Sequence, residues 1–92
     1  MKVKPLNPRL AKYLRNHNLI KKFDKQLTLL LENPKHPSLN TELLEPKHMR
    51  VYSFRIDRKY RVNFGIVAGE IEVFDITIII SRVALHEFAK LS

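Results

Sequence analysis

The chain has no cysteine, which excludes a disulfide framework and thiolate chemistry. It has only two glycines, Gly65 and Gly69, and neither builds a loop that could cradle a phosphate. The four histidines lack metal-ligand spacing, so no metal or other cofactor is expected. No serine sits in a nucleophile motif. No apolar run approaches the ~18 residues of a membrane span. Met1 to Pro5 lacks the apolar core of a secretion signal, and a cytoplasmic protein with no membrane partner is expected. Acidic residues are scarce as well: 9 Asp and Glu stand against 17 Lys and Arg, for a net charge of +8. The excess lies mostly in residues 1–50, where 11 basic and 4 acidic side chains give +7; residues 51–92 hold 6 and 5, giving +1. A basic surface suits an anionic partner such as nucleic acid, and also keeps a small protein in solution.

What is present is a patterned stretch, Val51 to Phe64. Tyr52, Phe54 and Ile56 alternate with Ser53 and Arg55; Tyr60, Val62 and Phe64 alternate with Arg61 and Asn63. Period-two alternation predicts two strands. The apolar sets share a face only if Ile56 pairs with Tyr60 across a turn at Asp57-Arg58-Lys59. That register sets Arg55 opposite Arg61 and Ser53 opposite Asn63. Facing arginines repel, so an anion or a carboxylate is expected between them, and a phosphate fits.

The 92 residues allow one domain, 1–92, with a small core. Lys2 to Leu6 reads as a short edge strand. Asn7-Pro8 is a helix start, with Asn as cap and Pro in the first turn, and Leu10, Ala11, Tyr13 and Leu14 follow at helical spacing. His17-Asn18 breaks that pattern. A second helix from about Leu19 is expected to bury Ile20, Phe23, Leu27, Leu30 and Leu31, with Lys21, Lys22, Asp24, Lys25 and Gln26 on its wet side. Asn33-Pro34 ends it. Residues 34–47 read as loop. Ala68-Gly69 signals a second turn, and Glu70 to Ile80 a third strand, with Ile71 and Val73 on the core face and Glu72, Phe74 and Ile76 beside Arg61. Arg82 to Leu91 is expected to form a closing helix. The fold class is therefore α+β: a short N-terminal strand, a helical hairpin packed on a three- to four-stranded, mainly antiparallel sheet, and a short C-terminal helix.

Two sets of residues carry a resemblance. One is Asn33-Pro34-Lys35-His36-Pro37-Ser38-Leu39 with Thr41 and Leu44. The other is Tyr52-x-x-Arg55, Tyr60-Arg61-Val62-x-Phe64 and Glu72-Val73-x-x-Asp75-Ile76. Together they resemble the RelE/ParE superfamily of type II toxin–antitoxin toxins over roughly residues 1–78. The resemblance implies a toxin neutralised by a cognate antitoxin encoded nearby. In the RelE-like branch the toxin cleaves mRNA on the ribosome without a metal; in the ParE-like branch it poisons DNA gyrase. A catalytically inactive binding protein on the same fold is a further alternative. The oligomeric state is open: monomer, homodimer, or hetero-oligomer with antitoxin.

Carried onto this chain, the RelE-like pattern implies catalytic roles for Arg55 and Arg61, with Lys47 and His48 ahead of the hairpin. After Asp75-Ile76 the chain runs into an apolar stretch, and Arg82 and His86 stand where the family has basic and acid/base groups. Arg58 and Lys59 are implied RNA contacts, and Lys21, Lys22 and Lys25 offer a basic helix face to an RNA backbone. Cleavage by a 2′-hydroxyl needs a base, an acid, and cations on the phosphorane. Arg55, Arg61 and Arg82 suit the last role, because guanidinium binds phosphate in a bidentate way. His86, or Lys47 with His48, suits proton transfer.

Overall fold

The computed structural model describes residues 1–79. The elements are β1 (Lys2–Val3), α1 (Pro8–Asn16), α2 (Ile20–Glu32), β2 (Glu42–Leu43), β3 (Tyr52–Arg55), β4 (Tyr60–Val67) and β5 (Glu70–Ile78), with 3-10 turns at Pro37–Leu39 and Lys47–Met49. The closing helix expected at 82–91 lies outside the described residues.

Local chemistry explains the helical hairpin. The Asn7 side chain accepts from the Arg9 backbone N–H at 2.8 Å, and Pro8 opens α1. Asn18 takes a φ of 54°, a left-handed conformation that asparagine tolerates, and the chain reverses there. Leu10, Leu14, Leu19, Phe23 and Leu30 then point to one side.

The strands form one five-stranded sheet in the order β1-β5-β4-β3-β2, with β1 parallel to β5 and every other pair antiparallel. The hairpin register is the one the alternation demanded: Arg55 faces Arg61, Ser53 faces Asn63, and the Ile56 N–H donates to the Tyr60 carbonyl at 2.9 Å. Asp57 shapes the turn, accepting from the N–H groups of Lys59 at 2.8 Å and Tyr60 at 2.9 Å. The helices cover one sheet face. Their leucines and Phe23 meet Phe54, Ile56, Tyr60, Val62, Phe64, Ile71 and Val73. Phe54 and Val62 are 0% exposed, so each contributes roughly 1.5–3 kcal/mol by burial.

Four details differ from the sequence expectation. Glu42–Leu43, read as loop, pairs with Tyr52 and Ser53 as a fifth strand. Two residues carry too little periodicity to reveal a strand that long-range pairing alone creates. Ile20 and Leu31 are exposed, because α2 turns Leu19 and Gln26 inward instead. Gln26, expected on the wet side, is buried because its amide donates to the carbonyls of Arg55 at 2.8 Å and Ser38 at 3.3 Å. Ile76 lies opposite Val62 and packs on the core, not beside Arg61. A register shift between Asn63 and Phe64 causes this: Phe64 pairs with Val73 and Asn63 with Asp75, so Phe74 is the extra residue of a β-bulge. One added residue inverts the side-chain alternation beyond it.

Candidate nucleic-acid interface

The sheet face away from the helices carries Ser53, Arg55, Arg61, Asn63 and Gly65 by alternation along β3 and β4. Arg61 is held there rigidly. Its Nε donates to the Ser53 hydroxyl at 2.6 Å, and its Nη2 donates to the carbonyls of Asn40 at 2.6 Å and Ser53 at 3.1 Å. Asn40 presents that carbonyl because its backbone is left-handed, at φ 43°. Glu42 on β2 stands 3.9 Å from Nη2, and the Arg61 side chain is only 12% exposed. Burial pushes the Arg61 guanidinium below its ordinary pKa, with the Arg55 charge acting the same way and Glu42 opposing. An arginine stays protonated at ordinary pH regardless.

Arg55 is the opposite case. No hydrogen bond or ion pair ties its side chain among the described residues, and its Nε is buried without an acceptor. A buried donor left unpaired costs about 1–3 kcal/mol. The carboxylate expected between the arginines is present for Arg61, as Glu42, and missing for Arg55 among the described residues. Asp57 and Glu72 serve elsewhere: Asp57 pairs with Lys22 at 3.2 Å and Glu72 with Lys4 at 4.0 Å.

Arg55 also lines a cleft of about 330 Å³ with Lys22, Lys25 and Arg58, floored by Gln26 and Ser38. Asp57 is the acid in this lining. Burial would raise the Asp57 pKa, but the N–H groups of Lys59 and Tyr60 and the Lys22 ammonium outweigh it and hold the carboxyl below its ordinary value. The cleft is therefore strongly cationic.

The structure thus gathers Arg55, Arg61, Arg58, Lys22 and Lys25 at the turn end of the β3–β4 hairpin. Lys21 does not line the cleft, and the Lys59 ammonium lies over the Tyr60 ring, 5.5 Å from its centre. Lys47 and His48 are not brought to the arginines. Their 3-10 turn precedes β3, and the carbonyl of Arg50 just beyond it lies 3.6 Å from where a Gly65 Cβ would stand. That is the far end of β4 from Arg61, roughly 14 Å away at ~3.4 Å per residue. Arg82 and His86 lie outside the described residues.

This arrangement of helical hairpin and five-stranded sheet has counterparts among solved structures. A YoeB/ParE toxin from Agrobacterium tumefaciens superposes with a TM-score of 0.65 at 13% identity, covering 87% of this chain and 100% of that one. The fold is that of the YoeB/ParE toxins. A YoeB–YefM complex from Staphylococcus aureus matches with a TM-score of 0.61 at 18% identity, covering 88% of this chain and 99% of that one. A heterotetrameric YoeB–YefM toxin–antitoxin complex from the same organism gives 0.62 at 18% identity, covering 84% and 97%. No family model and no curated protein matches the sequence.

On this YoeB/ParE fold, the residues that sequence reasoning missed are the ones that fix Arg61. Ser53 was visible as its face-mate, but Asn40 reaches it from a loop and Glu42 from the edge strand β2, and nothing local in sequence signals such contacts. Gln26 was missed because a helical wheel sees only its own helix. Among the described residues no cluster of His, Asp or Glu forms a metal-binding group, and no helix is long and apolar enough to cross a membrane.

Proposed function

We propose that this chain is the toxin of a type II toxin–antitoxin system, and that it acts as a metal-independent, ribosome-dependent mRNA endoribonuclease that inhibits translation in the cytoplasm. The observation that carries the reading is the Arg55–Arg61 pair. One guanidinium is fixed in place and the other has no partner among the described residues, and they face each other across an open sheet surface beside a cationic cleft. Such a pair suits a phosphodiester whose charge grows in the transition state.

In the proposed reaction a ribose 2′-oxygen attacks the adjacent phosphorus while its proton passes to a base. The bond from phosphorus to the 5′-oxygen breaks, and that oxygen takes a proton from an acid. The products are a 2′,3′-cyclic phosphate and a 5′-hydroxyl. Arg55 and Arg61 hold the phosphorane oxygens, with Arg82 as a third cation. His86 is assigned the proton transfers, since the turn of Lys47 and His48 stands at the far end of β4 from the arginines. Lys21, Lys22, Lys25, Arg58 and Lys59 are assigned to RNA backbone. The YoeB–YefM complexes support a cognate antitoxin as partner, encoded beside this gene.

The test is purified protein added to ribosomes carrying a defined message. Cleavage in the ribosomal A site is expected, with loss for Arg61→Ala and none on the free message. An intact ribosome-bound message with gyrase-linked DNA breaks in expressing cells would replace this reading with gyrase poisoning. Harmless expression without antitoxin would leave a binding protein.

A further inference from the structure

We infer that Phe74 is a nucleobase-stacking platform, and that the Asn63–Asp75 pair beside it reads the edge of an RNA base. This rests on the RNA reading above and adds to it a base-recognition site separate from the phosphate cations.

Four observations lead to it. First, Phe74 is a large aromatic residue left 41% exposed on the sheet face that also carries Arg61 and Asn63. Second, the ring is held in place. Phe74 is the extra residue of the β4–β5 bulge, and its Cε2 and Cζ lie 2.8 Å from where a Gly65 Cβ would be. A glycine therefore leaves room for the ring edge to sit against β4, which fixes the ring's position. Third, Asn63 and Asp75 are paired residues of β4 and β5, and the Asn63 amide donates to an Asp75 carboxylate oxygen. Neither side chain makes another hydrogen bond among the described residues. Each keeps capacity free: an amide N–H and carbonyl on Asn63, and the second oxygen of Asp75.

The fourth observation is order. Arg61, Asn63 and Gly65 follow one another on the same face of β4, in steps of roughly 7 Å. Cation, donor–acceptor pair and aromatic ring thus stand in a row. This is the chemistry that binds single-stranded RNA: guanidinium for phosphate, polar side chains for base edges, and an aromatic ring for the π-face. The bulge that displaced Ile76 to the core is what brings Asp75 to this surface beside Phe74.

The chain has no tryptophan, so Phe74→Trp places a single fluorophore at the site. The probes are a 2′-O-methyl RNA oligomer, which cannot be cut by its own 2′-oxygen, and an abasic oligomer of the same length and charge. Base-bearing RNA is expected to quench the emission of the Phe74→Trp variant, while the abasic strand binds without quenching. Phe74→Ala, folded by circular dichroism, is expected to bind the base-bearing oligomer about ten-fold more weakly and the abasic one as the native protein does. Equal binding of base-bearing RNA by native and Phe74→Ala protein overturns the stacking site and leaves the RNA reading intact, as does a bound strand that fails to quench. If the native protein binds neither oligomer, the stacking site is overturned, and the assay on ribosome-bound message decides the RNA reading separately.

Discussion

The two arginines at the centre of the open face are chemically alike and physically different, and substitutions will separate them. Arg61→Ala removes the donors to Ser53 and to the Asn40 carbonyl and leaves the buried Ser53 hydroxyl unpaired. It is expected to cost about 1–3 kcal/mol of stability, measured by urea denaturation, as well as activity. Arg55→Ala removes a side chain with no partner among the described residues, and with it the like-charge contact across the hairpin. It is expected to leave the denaturation midpoint unchanged or raised, while RNA affinity and toxicity fall. Gly65→Ala drives a methyl into the Phe74 ring and is expected to destabilise by about 1–3 kcal/mol. The double variant with Phe74→Ala should recover most of that loss, which a double-mutant cycle would read as strong coupling. At this scale the sequence disclosed the arginines and their opposition. It hid what holds Arg61, because those contacts join residues 21 and 8 positions apart.

Among the elements, the hairpin was the most legible. Strict alternation leaves only one register that buries both apolar sets, and Asp57 sits where a turn needs an acceptor. The same carboxyl gives the turn a pH dependence. Its folded pKa lies below the ordinary value of 3.8, so its contribution is fully present above that value and is lost as pH falls through the lower one. The thermal midpoint is expected to hold steady near neutrality and to fall below about pH 4. Asp57→Asn should flatten part of that fall and lower the midpoint at neutral pH. The strands at the sheet edges were less legible. Lys2–Val3 and Glu42–Leu43 are too short for periodicity and exist through their partners. The β5 bulge was illegible for another reason: Glu70 to Ile78 alternates well enough to suggest an unbroken strand, and only the packing of Ile76 against the core selects the shift.

For the whole molecule, charge and fold reinforce each other. The +7 of residues 1–50 predicted a basic helical face, and α2 does bring Lys22 and Lys25 to the cleft beside Arg55 and Arg58. Binding of an RNA strand there would release counterions, so its affinity is expected to fall steeply with salt. Log affinity should be linear in log salt, and Lys25→Ala with Arg58→Ala should reduce the slope by about 1.4, at ~0.7 per single-strand contact. An acidic partner wrapped over the same surface would compete with RNA for these cations.

The guanidinium of Arg61 has five N–H groups, and Nε and Nη2 are already engaged by Ser53 and Asn40. An arriving phosphate therefore meets Nη1 on one side and the idle nitrogens of Arg55 on the other. Occupancy would cancel the repulsion between the two strands. Anion uptake and folding are then thermodynamically linked: the free protein carries a strain that its ligand relieves. Its melting temperature should climb with added phosphate or nucleotide, by the equivalent of about 2.7 kcal/mol at a hundred times the dissociation constant.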